Sequence, residues 1–141
     1  MTQPKRAIYP FAEMFEVDTN GTTSVNIWSI PIDTIITMVL CRVKVAAIDA
    51  GGANIIVGDT DDDNGYILAA DICGTTVGTI YGDAITERGA YLNLGESATA
   101  PHAGPWKVYT AAGKTLTTVC SAALDTDGTV EIFVFGYRYI V

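Results

Sequence analysis

Residues 129–141 constrain the fold more than any other stretch. Laid out as an extended chain, they put Glu131, Phe133, Phe135, Tyr137 and Tyr139 on one face and Val130, Ile132, Val134 and Ile140 on the other. A strand that is apolar on both faces needs cover on both, which places it centrally in a sheet between two layers. Further runs rich in β-branched and aromatic residues occur at 11–17, 22–28, 35–48, 53–57, 66–72, 90–94, 106–110 and 114–120. Asn20-Gly21 and Asp127-Gly128 are hairpin turn signals, and Gly51-Gly52 and Ala111-Ala112-Gly113 also turn the chain. The segment 74–83 reads as a loop or a weak edge strand, and 86–89 supports one helical turn at most. No stretch keeps a helical period over about ten residues. Short strands with turns every 8–12 residues or so predict an all-β protein, an antiparallel sandwich of jelly-roll type. One domain spans 11–141. Residues 1–10, interrupted by Pro4 and Pro10, are expected to be a flexible N-terminal arm unable to form a central strand.

The longest candidate strand changes character along its length. Val39, Cys41, Val43 and Val45 share one face and Leu40, Arg42, Lys44 and Ala46 the other, so its second half is expected to be half-solvated. Its first half, residues 35–40, is apolar on both faces and calls for cover on both sides, by a neighbouring subunit if not by this chain.

Charge supports the same expectation. Charged residues make up 17% of the 141-residue chain, against about 25% in an average domain. A surface short of charge exposes apolar patches, and such patches mark interaction sites. The formal net charge is −8, which disfavours direct contact with nucleic-acid phosphates and with anionic membranes. Cys41, Cys73 and Cys120 are odd in number and widely spaced, so buried free thiols are expected, suited to assembly in a cytoplasm. No secretory leader is expected, because Lys5 and Arg6 run into Ala7, Ile8, Tyr9 and Pro10 rather than a long apolar stretch. The sequon Asn20-Gly21-Thr22 is read as a turn.

The best chemical candidate is the run Asp59-Thr60-Asp61-Asp62-Asp63-Asn64-Gly65. Alternating carboxylates at Asp59, Asp61 and Asp63 are the residue types that hold calcium, which takes about six to eight oxygens. The run is not an EF-hand: its glycine is misplaced, Ala70 stands where the bidentate glutamate belongs, and no helices flank it. Turn chemistry alone accounts for these residues, so a solvated loop is the favoured reading and no cofactor is expected. His102 is the single histidine, in a loop between Pro101 and Pro105, and one histidine builds neither a multi-histidine metal site nor, without a recognisable partner, a catalytic triad. The carboxylate pairs Asp83 with Glu87 and Glu96 with Glu131 carry no more than a formal resemblance to glycosidase acids. No catalysis is expected. Trp28, Trp106, Tyr66, Tyr81 and Tyr91 are expected in the core or in subunit contacts rather than in a sugar-stacking platform.

Several of these segments, taken together, resemble small structural proteins of tailed-phage virions. The likeness rests on Val43-Lys44-Val45, Ile55-Ile56-Val57-Gly58-Asp59, the acidic turn, Asn64-Gly65-Tyr66-Ile67-Leu68-Ala69-Ala70-Asp71-Ile72, then Gly89-Ala90-Tyr91-Leu92, and finally Asp127-Gly128-Thr129-Val130-Glu131-Ile132. It covers residues 35–141. The resemblance implies a head decoration, cement or head-fibre subunit, a β-sandwich, often trimeric, on the outside of a capsid, with no catalytic residues to carry over. It places the chain in the virion, after assembly in the host cytoplasm, with a homotrimer of itself and a phage major capsid or other virion protein as partners. The alternatives are a carbohydrate-binding jelly-roll module or a subunit of an extracellular filament or tail tube. The expected interface residues are Lys5, Arg6, Ile8, Tyr9 and Phe11 of the N-terminal segment, Ile36, Met38 and Leu40, and Phe133, Phe135, Tyr137 and Tyr139. Lys5 and Arg6 suit an acidic partner, such as a neighbouring subunit or a capsid surface.

Overall fold

The computed structural model describes residues 7–19, 21–93 and 106–140. Among the described residues nine strands form two antiparallel sheets: β1 (Ala7–Asp18), β2 (Val25–Ile30), β3 (Thr34–Val45), β4 (Asn54–Asp59), β5 (Ile67–Asp71), β6 (Ile80–Tyr81), β7 (Lys107–Tyr109), β8 (Lys114–Cys120) and β9 (Thr129–Ile140). Sheet A has the order β1-β9-β3-β6, with the short β7 also on β3; sheet B has the order β2-β8-β4-β5. The chain pairs with itself in nested fashion, β1 with β9, β2 with β8, β3 with β6 and β4 with β5. That is a jelly roll, the sandwich the strand pattern predicts. A single 3-10 turn, Ile85–Glu87, interrupts it. Among the described residues no helix is long and apolar enough to cross a membrane.

The core lies between the sheets. β9 contributes Val130, Ile132 and Val134, β3 contributes Ile36, Val39, Cys41 and Val43, and sheet B answers with Ile30, Ile55, Val57, Ile67 and Leu116. β9 is central in sheet A, as its doubly apolar pattern requires. β3 owes its two-faced apolar start to a bulge. The register with β9 slips between Ile36 and Met38, so Thr34 and Ile36 point inward, and after the slip Val39, Cys41 and Val43 do. A residue count at period two runs straight through such a slip. Val45, assigned to the inner face by parity, is exposed beyond a second slip between Val43 and Val45.

Other expectations change. Ala7–Pro10 are not a flexible arm but the first residues of β1, paired with Tyr137–Ile140; residues 1–6 lie outside the described residues. Pro10 is tolerated because β1 is the edge of its sheet. The two hairpins do not form. β1 and β2 sit in different sheets, as do β8 and β9, so Gly21 and Gly128 serve crossings between layers. Thr19 ties these crossings together: its N–H donates to the Gly128 carbonyl, and its Oγ1 accepts from the Gly128 N–H. Residues 90–93 are a turn rather than a strand, held by N–H donation from Leu92 and Asn93 to the Gly89 carbonyl.

Candidate assembly surface

Sheet A has an inner face on the core and an outer face that none of the described residues covers. Directly opposed residues of an antiparallel pair share a face, so the register lays out the outer one in rows. Pro10, Tyr137, Ile35 and Val108 form one row, Ala12, Phe135 and Met38 the next, and Met14, Phe133 and Leu40 a third. Ile8 and Tyr139 flank the first row. Ile8 is 59% exposed, Met14 50% and Tyr137 44%, so this is a solvent-facing apolar surface three to four strands wide. The fourth row is charged. Glu16 faces Glu131, which faces Arg42. The Arg42 guanidinium binds the Glu131 carboxylate at 2.5 Å, and Lys44 binds Glu16 at 2.5 Å. These four charges cancel within the face and fence one end of the apolar rows.

Of the residues expected at an interface, Ile8, Met38, Leu40, Phe133, Phe135, Tyr137 and Tyr139 meet on this surface. Ile36 does not: it is fully buried in the core, because the bulge shifts β3 by one residue. Phe11 also turns inward, its ring 5.8 Å from that of Trp28, which Phe15 contacts too. Tyr9 belongs by register to the inward row of Arg138 and Thr34 and is exposed beyond the core. Lys5 and Arg6 lie outside the described residues. Pro10, Ala12, Met14 and Val108 were missed by sequence reasoning, and Ile35, within the 35–40 run expected to need cover, was not singled out as an interface residue. Met14 falls between acidic residues, and Ile35 reads as inward until the bulge is known.

The acidic loop is built around Asp59, which is 2% exposed. Tyr109 donates its hydroxyl to Asp59 Oδ2 at 2.6 Å, and Tyr91 donates to Oδ1 at 2.9 Å. The N–H groups of Asp61 and Asp62 donate to the same Oδ1 at 2.9 and 3.1 Å. Tyr66, fully buried, lies 2.5 Å from the Tyr109 hydroxyl and closes the network. Burial pushes the Asp59 carboxyl upward, but the two phenols and two amides pull harder, and its pKa lies below the ordinary carboxylate range. Burial and the adjacent carboxylate drive the Tyr91 and Tyr109 phenols well above theirs. Lys107 caps the group, its ammonium 3.8 Å from the Tyr91 ring centre. Three glycines allow the close approach. A Cβ on Gly58 would strike the Asp62 carbonyl, one on Gly65 the Tyr91 ring, and one on Gly89 the Asn64 carbonyl.

This arrangement removes Asp59 from the calcium candidates, since its oxygens are taken by four donors. Asp61 is paired with Lys114 at 2.6 Å. Among the described residues no three carboxylate, imidazole or thiol groups converge as metal ligands. Chelation with EDTA is therefore expected to leave the melting temperature unchanged, and Asp61→Ala to alter stability by less than about 0.5 kcal/mol, as at exposed ion pairs generally. A melt displaced by EDTA would refute this.

The remaining candidates serve the fold. Glu87 accepts from the Gly82 N–H at 2.7 Å, Arg88 donates to the Gly82 and Asp83 carbonyls, and Glu131 is held by Arg42. His102 and Glu96 lie outside the described residues. Trp28 packs under β1, while Tyr66 and Tyr91 pack edge to face around Asp59, so these three rings form no shared platform; Trp106 is 49% exposed and not part of the core. All three cysteines are free. Burial lifts the Cys41 thiol to about 12.

The jelly roll is shared with two phage capsid chains. One, from the capsid asymmetric unit of cyanophage Pam1, aligns over 98% of this chain and 92% of its own, with a TM-score of 0.63 and 16% identity. The other, from an acid-stable capsid structure of Helicobacter pylori bacteriophage KHP30, aligns over 96% and 99%, with a TM-score of 0.52 and 12% identity. No protein-family model matches the sequence, and no curated protein does. At these identities the likeness is one of fold.

Proposed function

We propose that this chain is a structural virion protein that decorates a phage capsid, seated on the shell and associating with neighbouring virion subunits. The outer face of sheet A carries this reading. A soluble monomer rarely leaves so continuous an apolar surface in water, and a surface of this kind marks a protein contact. The fold it shares with chains of two phage capsids points to the kind of assembly that supplies the contact. The polar groups of the best chemical candidate, the Asp59 cluster, are spent on one another, which suits a scaffold rather than an enzyme. A carbohydrate module needs several solvent-facing rings beside its polar loop, and here Tyr66 is fully buried, Tyr91 is half-buried and Trp106 alone of the candidate rings is exposed.

Mass spectrometry of purified particles of the virus that encodes the chain tests the proposal. The expected result is many copies per particle, released by mild denaturant before the shell opens. Particles that lack the protein would overturn the assignment.

A further inference from the structure

We infer that the outer face of sheet A is self-complementary and takes a second copy of this chain, face to face, about a two-fold axis running along β9. The inference rests on the proposed assembly role and names the partner for that surface. In the fourth row Glu16 on β1 and Glu131 on β9 are negative and Arg42 on β3 is positive, with the positive Lys44 two residues further along β3 and paired to Glu16. A half-turn about β9 keeps each row in place and exchanges the columns, so β1 of one copy lies over β3 of the other. Glu16 then faces the Arg42 and Lys44 side of its partner, twice over, while on the axis Glu131 meets its own copy, each carboxylate neutralised by the Arg42 of its own chain. Size follows the same exchange. Ala12, the smallest side chain of the β1 column, meets the column that holds Met38, while Phe135 and Phe133 stack along the axis.

With β9 on the axis the overlapping strands are β1, β9 and β3. Eight residue steps at about 3.3 Å and three strands at about 4.8 Å give a face of roughly 26 by 14 Å. Two copies would cover on the order of 750 Å² before the corrugation of side chains is counted, at the small end of specific interfaces, which sets the expected affinity in the micromolar range. Two sheets packed in this way lie about 10 Å apart with strands within about 30° of each other. The two-fold contact uses one surface twice. A trimer, in contrast, needs two different surfaces on each copy.

Sedimentation equilibrium of the full chain decides between them. The expected species is a dimer at micromolar concentration, with Phe135→Glu raising its dissociation constant about tenfold or more, as for a central interface side chain. Charge exchange removes any doubt about folding. Glu16→Lys and Lys44→Glu should each weaken their own dimer, whereas a mixture of the two variants should form heterodimers in preference, since both cross-contacts are then attractive. A monomer at tens of micromolar, a trimer, a dimer indifferent to Phe135→Glu, or a mixture without heterodimer preference would overturn the two-fold contact. A monomer that binds particles until Phe135 is changed would assign the face to the shell and leave the decoration role standing. A dimer of a protein absent from particles would do the reverse.

Discussion

Asp59→Ala is expected to destabilise the protein by about 3–5 kcal/mol, the cost of breaking a buried charged network. The substitution leaves two phenol hydroxyls and two loop amides without their acceptor, and unpaired buried donors cost about 1–3 kcal/mol each where water cannot reach them. At this chain length such a loss lowers the melting temperature by about 10 °C or more. Asp59→Asn, which keeps the acceptor but not the charge, should fall between. The same residue sets a pH dependence. Its folded pKa is depressed, so its contribution is complete above the ordinary carboxylate value near 4 and is lost as the pH falls through that value toward the folded one. Thermal melts from pH 7 to pH 3 should therefore converge for the wild type and Asp59→Asn as acid removes the advantage. Parallel curves with a constant gap would show that the carboxylate charge contributes nothing.

The Asp59 network also explains what was legible in the sequence. Gly58, Asp59, Gly65, Tyr66, Gly89 and Tyr91 are among the residues on which the resemblance to virion proteins rests, and they converge on one cluster. Their spacing reveals that they belong together only once the fold brings β4, the turn after it and the 89–92 segment into contact. Tyr109, the strongest donor to Asp59, sits fifty residues away and carries no local mark. The carboxylate pattern that suggests calcium lies in a turn, as the residue types allow, with an interior anchor at Asp59 that they do not announce.

Strand existence was legible because alternation and turn residues are local. Partner choice was not. Asn20-Gly21 and Asp127-Gly128 have the composition of hairpins, yet β1 pairs with β9, more than a hundred residues away. A nested jelly roll replaces every hairpin expected from adjacency with a long-range pairing or a crossing, except the β4–β5 pair. The outer face was half legible. β9 declares its aromatic row by simple parity, and β3 does not, because the bulge after Ile36 moves Ile36 inward while Met38 and Leu40 face out.

Gly136 lies opposite that bulge. Thr37 is accommodated opposite Phe135, whose carbonyl accepts from Thr37 Oγ1 at 3.3 Å, and the extra residue drives the Ile35 carbonyl against β9. A Cβ on Gly136 would overlap that carbonyl and lie 3.1 Å from Ile36 Cα, backbone on both counts, so no side-chain rotation relieves it. Gly136→Ala should therefore force β3 and β9 apart at the middle of sheet A, at a cost of about 3 kcal/mol, the upper part of the range for overpacking. The melt should drop by about 10 °C. Gly113→Ala is the comparison. Gly113 has φ of 90° in an open turn with nothing near its added Cβ, so only the backbone penalty of about 1 kcal/mol applies. If β3 can relax its bulge instead, Gly136→Ala will melt within about 2 °C of the wild type, and the close approach of the two strands is then not what fixes the outer face.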